Sequence, residues 1–135
     1  MPLVLASASL TDDEFLSAFE ACDLPLSGFR HADHLRLAWL HLHRTSLLEA
    51  EVQVRNGIRR FAEWHGVPHI YHDTVTRAWV RLLSTHHEQS FPEFLSKHEG
   101  HLNMELLHRF WTPALLASQQ AKRGWVAPDR MLLPC

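Results

Sequence analysis

Three helix starts written into this chain constrain its fold more than any other feature. Thr11 with Glu14, Ser46 with Glu49, and Ser90 with Glu93 each set a hydroxyl at an N-cap and a carboxylate three residues on. This is the capping box, in which each side chain satisfies the other residue's backbone N–H. The stops are equally plain. Pro25 and Gly28 close the first segment and Gly66 with Pro68 the third, since Gly suits the left-handed position after a helix and Pro cannot continue one.

This punctuation leaves helix-length pieces and no alternating strand-length runs. It predicts an all-α fold: a compact helical bundle of five to seven helices with an extended C-terminal strap. The first helix buries Phe15, Phe19 and Cys22. Further helices are expected at about 30–44, from Ser46 to about 65, at about 71–86, after Ser90, at about 102–111 and at about 113–122, with the strap over 125–135. Trp39, Trp64, Trp79 and Trp111 fall at helix-compatible positions and are expected in the core or the wall of a pocket.

With 135 residues, 46% of them apolar and 21% charged, the chain suits a single domain spanning 1–135. A net charge of −2 supplies no general pull toward nucleic acid or an anionic membrane. No window of 18 uncharged apolar residues exists and Met1 to Leu10 lacks a basic leader, so a cytoplasmic protein is expected. Cys22 and Cys135 form neither a CxxC motif nor a disulfide framework. Ser84, Ser96 and Ser118 lack a nucleophile elbow, and there is no Gly-rich phosphate loop.

Histidine is the compositional anomaly, at 12 residues. On a helical wheel, His31 joins Leu35, Ala38 and Leu42 on one face with His34 at its flank, while Asp33, Arg36 and Arg44 lie opposite, toward water. The fourth helix sets His72 with Thr76, Trp79 and Leu83, opposite Asp73, Arg77 and Arg81. Antiparallel neighbours would bring the first turns of the second and fourth helices to one end of the bundle. His65 and His69 would join there, as would His98 and His101 if the fifth helix runs down, while His41, His43, His86 and His87 fall toward the other end.

Neutral imidazoles near helix N-termini are suited to ligate a transition metal with coordination positions left open. His31, His34 and His72 are therefore the candidate ligands for Fe or Zn. Thr76 would position the bound species, Tyr71 would supply a proton, and Trp79 would lie against the cofactor. The pair Glu105/His108 has the ExxH spacing of di-iron bundles but occurs once.

Three stretches also belong together: Phe29-Arg30-His31-Ala32-Asp33-His34-Leu35 running on to Ala38, Tyr71-His72-Asp73-Thr74-Val75-Thr76 with Trp79, and Pro128-Asp129 followed by Leu133-Pro134. The combination resembles a group of small bacterial all-helical proteins over most of the chain beyond the first helix. That resemblance implies one site containing His31, His34, His72, Thr76 and the tail, and it carries no activity with it. It differs from the DinB-like metal bundles, whose HxxxH on the last helix is absent here.

The expectation is a mononuclear metal-dependent enzyme, an oxidoreductase or hydrolase, acting on a small organic substrate in a histidine-lined pocket. Two alternatives stand beside it. One is a non-catalytic protein that binds haem or another small ligand. The other is a pH-responsive interaction module, for which a homodimer is the assembly to consider.

Overall fold

The computed structural model describes residues 7–134. It is all-helical, with no strand among the described residues. Cys135 lies outside them. Five helices of seven or more residues form the bundle: α1 (Asp12–Glu20), α2 (His31–Arg44), α3 (Leu47–Trp64), α4 (Asp73–Leu83) and α5 (Phe91–Lys97). Two short ones follow, α6 (Pro113–Leu116) and α7 (Gln119–Arg123). No described helix is long and apolar enough to cross a membrane.

All three N-caps form, one as a full capping box and two through the hydroxyl alone. Thr11 and Glu14 exchange both bonds of a capping box, while the Ser46 and Ser90 hydroxyls accept from Glu49 and Glu93 N–H. Helix α3 ends in a Schellman motif: Gly66 takes φ +74°, Val67 N–H donates to Ala62 C=O (2.8 Å) and Gly66 N–H to Glu63 C=O (3.0 Å). Helix α1 ends the same way around Cys22, at φ 59°. That residue accepts the strain of a left-handed backbone while its side chain stays buried.

Helices α2, α3 and α4 pack mutually and carry the core, with α1 against α3, α5 against α2 and α7 against α4. Leu35, Leu37, Ala38 and Trp39 of α2 meet Val80, Leu82 and Leu83 of α4 in one continuous apolar cluster that also holds Phe15, Phe94 and Trp111. The approach of α1 to α3 depends on Gly57, where a Cβ would lie 2.7 Å from the Phe19 ring.

Four sequence expectations are corrected. The fourth helix starts at Asp73, because His72 takes an extended conformation and becomes its N-cap, and it stops at Leu83. The stretch near 102–111 is 3-10 rather than α, over Met104–Arg109, and the piece after Pro113 is divided where Ser118 caps a new helix. Trp64, expected in the core, is 70% exposed at the end of α3.

Arg44 on the charged face of α2 does reach water, but Asp33 of α2 and Asp73 of α4 do not. Asp33 is buried, accepting from Arg30 N–H at 2.8 Å and from the Ser7 hydroxyl. Asp73 is fully buried and receives the Tyr71 hydroxyl (2.6 Å), Arg55 (2.9 Å), Arg77 (3.4 Å) and Arg59 (3.5 Å). Glu51 is likewise buried against Arg77 (2.5 Å) and Arg81 (3.3 Å). The indole of Trp125 covers both guanidiniums, at 4.0 Å from Arg81 and 5.4 Å from Arg77.

The expected strap is present. Its anchor is the buried Thr74 hydroxyl, which donates to Gly124 C=O (2.7 Å) and accepts from Val126 N–H (3.1 Å). Trp111 donates its indole N–H to Val126 C=O (3.0 Å), and Asp129 accepts both the backbone N–H and the hydroxyl of Thr112. Backbone polar groups that cannot join a helix ladder are satisfied this way at low cost in mobility.

Candidate functional site

A cavity of about 390 Å³ opens between the first turns of α2 and α4 and the second half of α3. His31 and His34 enter from α2, His72, Thr76 and Trp79 from α4 and its cap, and Val54, Ile58 and Phe61 form the floor from α3. Phe29 closes one side, stacked on Phe19 (5.1 Å) and tilted against Phe61 (4.8 Å). The mouth is rimmed by exposed Ile70 and Met104. The histidines on the first turns of α2 and α4 therefore do share one end of the bundle, as the wheel requires.

Their nitrogens do different things. His72 is fully engaged: Nδ1 accepts the Val75 N–H (3.1 Å) and Nε2 lies 2.7 Å from Leu116 C=O. A carbonyl only accepts, so Nε2 carries the proton, Nδ1 is the acceptor and no lone pair remains for a metal. His31 has Nε2 at 2.9 Å from His101 C=O, which leaves Nδ1 as its available acceptor. His34 has no hydrogen-bond partner among the described residues and contacts the edge of Phe29 at 4.6 Å. Burial, and then the neighbouring charge of a protonated His31, lowers its pKa to about 4, so it is neutral at pH 7 and offers one donor and one acceptor.

Thr76 lines the same cavity with no hydrogen-bond partner among the described residues. The Trp79 indole N–H is buried and equally unpartnered. Tyr71 borders the cavity, but its hydroxyl donates to Asp73 at 2.6 Å, and burial followed by that bond pushes its pKa up to about 12. It is a poor proton donor. Burial also pushes the Asp73 carboxyl up, but the bond from Tyr71 and the pairing with Arg55 outweigh it and hold the group below the usual carboxylate value.

His31, His34 and His72 thus share a cavity without forming a group whose donor atoms lie within 4.8 Å of one another; among the described residues that arrangement is found at His86, Glu88 and His98. His65 bonds Leu24 C=O (3.1 Å) and packs on Phe61, while His69 is exposed. Neither enters the cavity. His98 and His101 meet His86, at ring distances of 4.3 Å and 5.2 Å from it, where the sequence had set His86 at the opposite end; His101 also reaches the cavity end, its carbonyl on His31 and its ring 6.2 Å from that of Trp79. Glu105 is exposed and no ExxH site forms with His108.

Trp79 was expected at the site, but that its N–H has no partner is invisible in one dimension. The group that sequence reasoning missed is His86/Glu88/His98, for which the three-residue spacing of His98 and His101 was a partial signal. Compared with family models, with curated proteins and with solved structures, the chain has no match in any of the three. The motif resemblance therefore carries no family assignment.

Proposed function

We propose that the chain binds a small organic molecule in the His34 cavity, with His34 as the group that recognises its polar end and exchanges a proton with it. One observation carries this reading: a neutral imidazole faces an apolar cavity of ligand-binding size with neither nitrogen hydrogen-bonded to protein. The half-buried Thr76 hydroxyl lies in the same wall without a partner among the described residues, and so does the Trp79 N–H, whose burial makes this unusual, since buried polar groups are ordinarily satisfied. The fitting ligand has a compact apolar body for Val54, Ile58 and Phe61 and one polar group able both to donate and to accept. A phenol, a primary amide or a protonated carboxylic acid meets that description.

A metal on His31, His34 and His72 is the weaker reading of this cavity, because His72 would have to give up its helix cap or its bond to Leu116. The ligand reading needs no such rearrangement. Ligand-observed NMR with mono- and bicyclic phenols, amides and carboxylic acids tests it. Hits should compete with one another, shift the His34 ring resonances and disappear in both His34→Leu and the cavity-filling Val75→Phe. A panel without hits, or hits that survive both substitutions, rejects the assignment.

A further inference from the structure

We propose that His86, Glu88 and His98 bind one divalent first-row transition ion, at a site separate from the His34 cavity. Two imidazoles and one carboxylate are the donor set of His2Glu zinc centres and of open non-haem iron sites. The ligand atoms all lie within 4.8 Å of one another. Tetrahedral ligands about 2.0–2.1 Å from an ion stand about 3.3 Å apart. The His98 Nε2 to Glu88 Oε2 distance of 2.9 Å would widen slightly and the others close by no more than side-chain rotation permits.

The second observation is an orphan. Glu88 Oε2 is accounted for by His98, but Glu88 Oε1 is buried with no hydrogen-bond partner among the described residues. A desolvated carboxylate oxygen left unpaired is costly. A cation in the group would satisfy it, by bidentate ligation or by charge alone.

The surroundings suit an ion as well. The ring of Phe94 supports the imidazoles of His86 and His98 from below, at 5.1 Å and 5.2 Å. The ring of His101 lies beside the group, 5.2 Å from that of His86 and 5.8 Å from that of His98, without belonging to it. His86 and Glu88 sit in the α4–α5 connection and His98 at the end of α5. One ion would therefore close this loop onto α5.

Zn2+ is the probe, with Co2+ as its spectroscopic substitute. The full chain, stripped with a chelator and dialysed, should take up one equivalent of ZnCl2 by calorimetry, and CoCl2 should produce a d–d absorption band. Glu88→Gln, which keeps the shape and removes the charge, should weaken binding at least about tenfold, and His98→Ala more. The exposed His69→Ala should leave binding unchanged. Circular dichroism establishes that each variant is folded. If His98→Ala unfolds, nitrogen NMR of the unaltered protein replaces it, and the His86 and His98 ring nitrogens should shift on adding Zn2+. Absence of stoichiometric uptake overturns the site, as does uptake unchanged in folded Glu88→Gln and His98→Ala, or histidine resonances unmoved by the metal.

Discussion

Helix α4 presents two polar faces to two buried environments, and they are treated in opposite ways. On one side Asp73 and Arg77 belong to a network with Tyr71, Arg55, Arg59 and Glu51 in which Asp73 alone accepts from four neighbouring side chains. On the other, Thr76 and Trp79 face the cavity with His34 and have no hydrogen-bond partner among the described residues. A saturated polar cluster specifies how helices pack; an unsaturated one beside a cavity retains hydrogen-bonding capacity for something that is not protein. His72 shows that type of residue is not the criterion, since it lines the cavity and is saturated.

That contrast predicts a graded series. Asp73→Ala should be the most damaging change, because it strands guanidiniums and a phenol around an emptied, fully buried position; a loss of about 3–5 kcal/mol is expected in urea unfolding. A loss below about 1 kcal/mol would remove the structural role assigned to the network.

Acid should act next, through His34. Its folded pKa of about 4 lies below the unfolded 6.5, so below 6.5 the unfolded chain binds the proton first. The stability tied to neutral His34 is complete above 6.5, declines as pH falls toward 4 and then levels off, a loss of up to about 3 kcal/mol. His34→Leu should flatten the stability profile over that window. An unchanged slope would show that the imidazole is not held neutral by the cavity.

His72→Ala should cost about 1–2 kcal/mol, from the lost α4 cap and the stranded Leu116 carbonyl. His72→Asn should recover part of it, since Asn also caps. Equal losses in the two variants would separate His72 from the capping role. Thr76→Val should change unliganded stability by no more than about 0.5 kcal/mol, because no hydrogen bond is removed. A cost near that of His72→Ala would mean that Thr76 belongs with the saturated group.

Much of the fold was legible in one dimension. The caps at Thr11, Ser46 and Ser90, the Gly66 stop and the apolar spacing of α2 and α4 are local, so residues within a few positions determine them. The same periodicity correctly sent His31, His34 and His72 to one end of the bundle. What misled was the assumption that charge opposite an apolar face means solvent. Asp73 and Glu51 are buried because Arg55, Arg77 and Arg81 on neighbouring helices neutralise them and Trp125, far along the chain, covers the pairs. A wheel of α4 shows Arg77 beside Asp73 but not Arg55, Glu51 or Trp125.

The site divides in the same way. The sequence by itself determined that the chain is helical, where its capped helices begin, and that His31, His34 and His72 gather at one end, though it sent His65 and His69 there too, because capping and periodicity are short-range properties. Only the tertiary structure decided which of those histidines is free. His72 is occupied by a carbonyl 44 residues away, His31 by one 70 residues away, while His34 has no such partner and His86 meets His98 across a turn. Hydrogen-bond saturation is a property of a side chain and its neighbours in space, and those neighbours come from elements whose order in the chain does not state their distance in the fold.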